Sequence, residues 1–183
     1  MVYRFTIISD EVDNFRREIQ IDSEATFLDF HKAILASTNY PNDQMTSFFI
    51  CDDNWEKETE ITLEDMGTSS EMDSWIMEET PLEELLEDEK QHLLYIFDPL
   101  ADRAFFIELS EIITGKSLSE AVCTKSIGDA PQHVLDFDQL MAVQTTTTAL
   151  DDSFSDDEDF DLDEIDPDGF EMGSAEDFES MLY

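Results

Sequence analysis

The stretch 93-LLYIFDPLADRAFFIEL-109 decides the fold of this sequence. Two apolar runs, LLYIF and AFFIEL, lie on either side of a polar break that contains a proline. Aromatic and β-branched residues at this density favour buried strands, and a break of about six residues is typical of a hairpin with a longer loop. We therefore predict a central hairpin of an antiparallel sheet, with Phe97 and Phe106 buried. Because side chains alternate between the two faces of a strand, Tyr95 and Phe97 should share one face of the sheet, and so should Phe105 and Ile107.

The beginning of the chain predicts two strands followed by a helix. Residues 2–9 and 15–21 alternate apolar and polar side chains, which is typical of strands with one covered face. We expect the helix to have Ser23 as its N-cap and to end near Pro41. Its large residues recur at the three- and four-residue spacing of a buried stripe, namely Phe27, Phe30, His31, Ile34 and Leu35.

The middle of the chain predicts two further strands, a loop and a short helix. The strands should cover residues 45–51 and 55–63, and the polar residues 65–74 should form the loop. Thr80 and the proline after it match the cap and first turn of a helix over residues 82–89. This order of elements is typical of an α+β fold in which helices cover one face of a sheet.

The sequence changes character after Leu109. Glycine and proline punctuate the next segment, so we expect irregular structure there, followed by a last short helix at residues 137–143. Four consecutive threonines, Thr145–Thr148, mark a boundary. We predict an acidic α+β domain over residues 1–144, opening β-β-α, and a disordered acidic tail over residues 145–183.

Acidic residues outnumber basic residues by 47 to 9, which gives a formal net charge of -38. The imbalance is steepest in residues 126–183, which contain no lysine or arginine. Because nucleic-acid binding depends mainly on neutralisation of phosphates by basic groups, we expect no direct binding to DNA or RNA. An anionic membrane surface should also repel the chain. The partner that this charge favours is a basic protein.

The cysteines and the N-terminus indicate a cytoplasmic location. Cys51 and Cys123 lie too far apart to suggest a disulfide framework or paired zinc ligands, and we expect each to be a buried, reduced thiol. The N-terminus lacks the basic start and long apolar core of a signal peptide. No apolar run is long enough to span a bilayer.

The sequence contains no recognisable catalytic or metal-binding motif. His31 falls on the predicted buried stripe and should be a satisfied, half-buried side chain, whereas His92 and His133 should lie at the surface. Residues 164–169 approach the start of a calcium loop, but Ala175 stands where the bidentate glutamate is required. We therefore predict that the protein is not an enzyme and needs no cofactor or metal.

The acidic C-terminus, residues 151–183, contains fifteen acids among which large apolar residues stand singly. It can be interpreted as a solvated, disordered tail that keeps the protein soluble. It can also be interpreted as a recognition segment that folds onto a basic groove of a partner. In the second interpretation the expected anchors are Phe160, Ile165, Phe170, Phe178, Met181 and Leu182.

Three blocks of the sequence carry a resemblance to a known family. The first is the opening, YRFTI followed by FRREIQIDSEATFLDFHKAI, in which a capped helix carries His31. The second is a phenylalanine-centred strand at residues 45–53, and the third joins residues 95–98 to the strand at 107–109. Over roughly residues 1–140 the chain resembles the Ri-plasmid (pRiA4b) ORF-3-like proteins, a bacterial family of unknown function. The resemblance implies an α+β domain, often encoded near mobile elements, with no established activity.

The chain departs from this family in the turn of the central hairpin. Pro99, Leu100 and Ala101 stand where the family has Phe-Gly-Asp, and Arg103 replaces a tryptophan. Phe105 stands where a histidine is common. If the polar family motif is a ligand site, the resemblance implies that this protein has lost it.

We therefore predict a non-enzymatic, acidic interaction or regulatory module. One alternative is a DNA mimic, whose carboxylates imitate phosphates and occupy a nucleic-acid-binding protein. The other is a small ligand-binding or enzymatic domain with a site that its motifs do not reveal. The sequence does not indicate the oligomeric state or the identity of a partner.

Overall fold

The structure is a computed structural model that describes residues 1–65, 67 and 75–136. Within these residues the chain forms eight strands and two helices. The predicted opening of two strands and a helix is confirmed. In chain order the elements are β1 (Val2–Ile8), β2 (Arg16–Asp22), α1 (Phe27–Thr38), β3 (Ser47–Cys51), β4 (Lys57–Thr62), β5 (Trp75–Ile76), α2 (Leu82–Leu85), β6 (His92–Asp98), β7 (Arg103–Ile113) and β8 (Val122–Ile127).

The strands of the described residues form one sheet in the order β5-β4-β3-β6-β7-β1-β2-β8. Neighbouring strands run antiparallel except for β4 and β5, which run parallel, so the sheet is mixed rather than antiparallel throughout. The parallel pair joins Ile61 to Trp75 and Thr62 to Ile76. A connection of about a dozen residues lies between these strands, which is the length that a parallel pairing needs.

The predicted central hairpin is confirmed, because β6 and β7 occupy the middle of the sheet. In their register Leu93 pairs with Ile107 and Tyr95 pairs with Phe105. The tight end of the hairpin contains Asp102 in the left-handed region, with φ of 50°. Long strands with large apolar residues on alternate positions therefore hold the two halves of the sheet together.

One face of the sheet, which we call the first face, is covered by α1 and α2. Phe30 of α1 stacks between Phe5 at 4.3 Å and Phe48 at 5.4 Å, measured between ring centroids. Offset aromatic pairs at such distances stabilise a core beyond their area burial. Phe97 and Phe105 belong to the same core and are fully buried.

The opposite side of the sheet, which we call the second face, carries a smaller apolar cluster. Its buried members are Cys51, Leu94 and Ile96. Phe106 points to this face because it alternates with Phe105, and it is only half-buried. The prediction that Phe106 is buried is therefore wrong, although it lies on the predicted second strand of the central hairpin.

The start of α1 differs from the prediction. Thr26, and not Ser23, is the N-cap: its Oγ1 accepts the Asp29 amide at 3.2 Å, while Asp29 accepts the Thr26 amide at 3.2 Å. This reciprocal capping box outcompetes a single serine cap. The hydroxyl of Ser23 instead donates to Glu83 at 2.8 Å. Asn39, with φ of 57°, ends the helix as expected.

The predicted short helix α2 exists, but it is shorter than predicted and has a different cap. Pro81 occupies the N-cap position and Leu86 already has extended backbone angles, so the helix does not reach residue 89. The Thr80 hydroxyl donates to the Ile76 carbonyl at 2.8 Å and is not available as a cap. Leu82 and Leu86 are buried in the main core.

The segment after Leu109 is more regular than predicted. Strand β7 continues to Ile113, and β8 forms an additional strand at the edge of the sheet beside β2. All six residues of β8 are exposed, including Cys123, so the prediction of a buried thiol is wrong there. Cys51 is buried, as predicted.

Several predictions concern residues outside the described part of the chain. They are the loop residues 66 and 68–74, the short helix at residues 137–143, the boundary at Thr145–Thr148 and the acidic tail at residues 145–183. These remain predictions.

Candidate functional site

The six residues predicted to anchor a partner lie outside the described residues, so their arrangement stays a prediction. They are Phe160, Ile165, Phe170, Phe178, Met181 and Leu182. The described part offers three other regions with chemical character. These are a buried polar cluster around His31, a buried arginine at the end of the central hairpin, and a groove on the second face.

His31 links α1 to the central strand β6 from inside the core. Its Nδ1 lies 2.8 Å from the Tyr95 hydroxyl and 3.4 Å from the Thr46 hydroxyl, and its Nε2 lies 3.2 Å from Asn42 Oδ1. The side chain has no exposed area. The predicted role as a satisfied side chain is confirmed, but His31 is fully buried rather than half-buried.

Burial controls the protonation of this cluster. Because the charged form is poorly solvated in the core, burial lowers the pKa of His31 and raises the pKa of Tyr95. Both groups are therefore neutral near pH 7. A neutral ring enclosed by the core can hold the helix in register with the sheet, but it has no surface at which to exchange a proton with a substrate.

Arg103 is a buried base at the end of the central hairpin. Its Nε and Nη2 donate to the two carboxylate oxygens of Glu11 at 2.8 and 2.7 Å, and its Nη1 lies 3.4 Å from Asp98. Two backbone carbonyls, those of Gln132 at 2.6 Å and His133 at 3.2 Å, complete its partners. Burial disfavours the charged form, but hydrogen bonds and the negative charge of Glu11 outweigh it and raise the pKa of Arg103.

These contacts fasten the chain that follows β8 to the hairpin end of the sheet. The Tyr40 hydroxyl donates to the Pro131 carbonyl at 2.5 Å, and the His133 ring lies 4.5 Å from the Tyr40 ring. The guanidinium of Arg103 also lies 4.9 Å above the Phe97 ring. Since its donors are occupied within the protein, Arg103 stabilises the fold and is not available to bind an anionic ligand.

A groove of about 430 Å³ opens on the second face next to this arginine; we call it the second-face groove. Leu94, Ile96, Ala104 and Phe106 form its apolar floor. Its rim contains an ion pair between Lys57 and Asp102 at 3.3 Å, together with Asp10 and Glu11 from the turn between β1 and β2. Leu135, almost the last described residue, also lines it.

An aromatic surface continues from the groove across the second face. The Trp55 ring stacks on the His92 ring at 4.1 Å with an interplanar angle of 6°, and its edge contacts Phe106 at 5.1 Å. Lys57 lies 4.8 Å above the ring of Phe49. His92 and His133 are thus half-buried by aromatic neighbours, whereas the sequence predicted surface positions.

The basic residues are largely occupied by contacts within the described chain. All nine lie there, and six of them form ion pairs with its carboxylates, namely Arg4, Arg16, Lys57, Lys90, Arg103 and Lys125. Arg17 donates to the carbonyls of Ser37 and Ile127, and Lys116 donates to Gln20. By contrast, the seven acids between Glu78 and Glu89 are all exposed. The described surface is consequently anionic.

Residues 1–65, 67 and 75–136 contain neither a cluster of metal ligands nor a membrane-spanning helix. No group of three His, Cys, Asp or Glu side chains is arranged to hold a metal ion. No helix in this part of the chain is long and apolar enough to cross a membrane.

The sequence did not reveal the second-face groove or the contacts of Arg103. The sequence did contain one indication that Arg103 is unusual. It is a basic residue in a segment with few basic residues, and it stands where the family pattern has a tryptophan. Its partners could not be identified, since Glu11 and Gln132 lie 92 and 29 positions away in the chain.

Comparison with known proteins places the chain in an uncharacterised group. The model of the plasmid pRiA4b ORF-3-like protein family matches residues 2–173. Among solved structures, the fold is similar to the crystal structure of a protein of unknown function, MM3350, from Methanosarcina mazei Go1. The TM-score is 0.53 with 20% identity, covering 83% of this chain and 82% of that one, which shows a shared fold. No curated protein matches the chain.

Proposed function

We propose that this chain, which belongs to the plasmid pRiA4b ORF-3-like family of uncharacterised function, is a non-enzymatic interaction or regulatory module. In this proposal the protein binds a basic protein partner through its acidic C-terminal residues 151–183. The apolar side chains among those acids supply the anchors, and the carboxylates supply attraction and specificity.

The distribution of charge is the observation that carries the proposal. The chain contains 47 acids and 9 bases, and six of the bases are already paired with acids of the described part. The remaining carboxylates therefore create a field of one sign around the protein. Such a field accelerates encounter with a basic partner and repels nucleic acid and anionic membranes.

The geometry of the buried polar groups supports a non-enzymatic role. His31 and Tyr95 are enclosed in the core, and the donors of Arg103 are occupied by Glu11, Asp98 and backbone carbonyls. Groups with these roles hold segments of the fold together. A catalytic acid or base has to come within hydrogen-bond reach of a substrate. His31 and Tyr95 have no path to one, and Arg103, although it lines the second-face groove, has its donors occupied within the protein.

We also propose that the protein works in the cytoplasm. Cys51 and Cys123 are both free thiols, and the second of these is exposed on the edge strand β8. An exposed free thiol is best tolerated where the compartment keeps cysteines reduced.

A DNA mimic is the second candidate function. The observation that favours it is the exposed run of acids from Glu78 to Glu89, which belongs to the folded part of the chain rather than to its C-terminus. A protein that normally holds phosphates in a basic cleft would bind such a surface. The partner would then be a nucleic-acid-binding protein that releases this chain when duplex DNA is added.

Affinity capture with the full chain as bait tests the proposal. The bait is compared with an anchor variant, in which the six predicted anchor residues are replaced by alanine, and with a charge variant, in which the Asp and Glu of residues 151–168 become Asn and Gln. We expect a basic protein to be retained by the unmodified bait at about 0.05 M NaCl and released at about 0.5 M, because salt screens exposed charges. Both variants should lose it.

The matched control keeps the charge of the C-terminus and alters the folded surface instead. Neutralising the seven acids between Glu78 and Glu89 should leave a partner of the C-terminus bound, but should release the partner of a DNA mimic. Retention by the anchor variant at both salt concentrations would contradict the proposed anchors. The absence of any stable partner would favour the enzymatic or ligand-binding alternative.

A further inference from the structure

The geometry points to an intramolecular occupant of the second-face groove: residues 137–143 of the same chain, with the sequence FDQLMAV. Residues 151–183, through which the protein is proposed to bind a partner, take no part in this docking, so the two proposals are independent.

The course of the described chain brings it to the groove. After β8 the chain is held at the hairpin end of the sheet, where Tyr40 binds the Pro131 carbonyl and Arg103 binds the carbonyls of Gln132 and His133. Phe97 and Tyr40 pack on the first-face side of this point, at 5.5 Å between ring centroids. Two residues later Leu135 lines the groove on the second face. The chain therefore passes around the end of the sheet and arrives at the groove with one residue between Leu135 and the segment 137–143.

The groove matches a short apolar segment in chemistry and size. Its floor is formed by Leu94 and Ile96 of β6 and by Ala104 and Phe106 of β7. Alternate residues on a strand lie about 7 Å apart, so this floor extends a little more than one helical turn along the strands. A segment of seven residues spans about 10 Å as a helix, which is sufficient to cover the floor.

The composition of residues 137–143 fits this position. Phe137, Leu140 and Met141 stand at the spacing that places three side chains on one side of a helix. Asp138 is the segment's only charged residue, whereas fifteen acids follow in residues 151–183. The family match covers residues 2–173 and so includes this segment.

A second copy of the chain is a poorer occupant. Two molecules that each carry a net charge of -38 repel one another, and an apolar floor of four side chains offers little area to offset this repulsion. A segment tethered at Leu135 avoids that penalty, since its effective concentration at the groove is high.

Disulfide trapping in the full chain tests the inference. The native thiols are removed by Cys51→Ala and Cys123→Ser, and Ala104→Cys in the groove floor is combined with Met141→Cys. The matched control combines Ala104→Cys with Gln139→Cys, which lies at nearly the same distance along the chain but on the other side of a helical segment. We expect the Met141→Cys pair to close within one molecule at least about tenfold faster than the control pair, because the proposed docking turns position 141 towards the groove floor and position 139 away from it, whereas the tether is nearly the same for both. Equal rates for the two pairs, or disulfides that form mainly between molecules, would overturn the inference.

A thermodynamic cycle provides a second test that does not depend on cysteine variants. Phe106→Ala and Leu140→Ala are measured singly and together by urea unfolding of the full chain. If the two side chains touch, the shift in unfolding midpoint caused by Leu140→Ala should be much smaller when Phe106 is already replaced. The control cycle pairs Leu140→Ala with Val122→Ala on the exposed strand β8, and its shifts should add. Additive shifts in both cycles would refute the contact.

Discussion

Replacement of Phe97 by alanine is the sharpest test of the central hairpin as the organising element of the fold. Phe97 has no exposed area and lies in the middle of a group of rings. Its centroid is 4.6 Å from that of Phe105 and 5.5 Å from that of Tyr40, and the guanidinium of Arg103 lies 4.9 Å above it. The substitution therefore leaves a cavity in the core and also removes the aromatic support of the buried arginine.

The expected loss in the free energy of unfolding is about 3–5 kcal/mol, the range observed when a buried phenylalanine is truncated. For a chain of this length each kcal/mol lowers the melting temperature by about 2–4 °C, so Phe97→Ala should melt roughly 6–20 °C lower. Urea unfolding followed by circular dichroism measures the free energy, and a thermal scan checks the shift in melting temperature.

Phe106→Ala is the matched control, because it removes the same side chain from the same hairpin but from the second face. Phe106 is half-buried, so we expect a loss of about 1–2 kcal/mol, set by the apolar area that it shields. The reasoning would be refuted if Phe97→Ala cost no more than Phe106→Ala. A loss below about 1 kcal/mol for both would show that the hairpin does not organise the core.

Four further perturbations address charge, the domain boundary and the buried polar groups. Addition of NaCl to about 0.5 M at pH 7 should raise the melting temperature, because screening weakens the self-repulsion of a chain with a net charge of -38; a decrease would mean that the internal ion pairs dominate. Deletion of residues 151–183 should change the melting temperature by only a few degrees in a thermal scan while abolishing capture of the basic partner; unfolding of the truncated protein would show that these residues support the domain. Burial lowers the pKa of His31, so below the ordinary histidine pKa of about 6.5 the unfolded chain takes up a proton that the folded chain refuses, and stability should fall as the pH drops through this value. Urea unfolding between about pH 7.5 and 5.5 should show this loss in the native protein and a smaller one in His31→Gln; identical slopes would contradict the assignment. Arg103→Met should cost about 3–5 kcal/mol in the same assay, because Glu11 and Asp98 lose their buried partner, and Arg103→Lys should recover only part of that loss.

The sequence predicted the centre of the fold well because the centre is where side-chain alternation is strongest. On β1 and β7 the apolar residues of the first face alternate with residues that point the other way, and burial follows that alternation, whereas β6 is buried on both faces. The buried stripe on α1 could also be predicted from the sequence, and all five of its predicted residues are buried. Periodicity predicts such elements because the burial of one face is the force that fixes them.

The edges of the sheet were harder to predict for a physical reason. Every residue of β8 is exposed, so no apolar face produces an alternating pattern, and the strand forms through its backbone pairing with β2. Strand β5 contains two residues and is paired in parallel with β4 across a long connection. The start of α1 illustrates a local competition: Ser23 and Thr26 both suit an N-cap, and only Thr26 has an acid three residues later to complete the capping box.

The candidate site could not be predicted from the sequence, because its residues come from segments that lie far apart in the chain. The groove combines Lys57, Ile96, Ala104 and Leu135, which come together only when the sheet has formed and the chain has passed its end. The bonds of Arg103 to Glu11 and Gln132 have the same origin. The net charge follows directly from the sequence, but the sequence does not show which basic residues form ion pairs within the fold.

The internal pairing of the bases has a consequence for how salt should act on this protein. In the free chain the dominant electrostatic effect is repulsion among excess carboxylates, so salt should stabilise it. In a complex with a basic partner the same carboxylates face positive charge, so salt should weaken the complex. A ligand that binds only the folded state stabilises it by mass action, so the partner should raise the melting temperature most at low salt, where the free chain is least stable. Opposite salt dependences of the free and the bound protein are therefore the signature that distinguishes an acidic interaction module from a chain whose acidity serves only solubility.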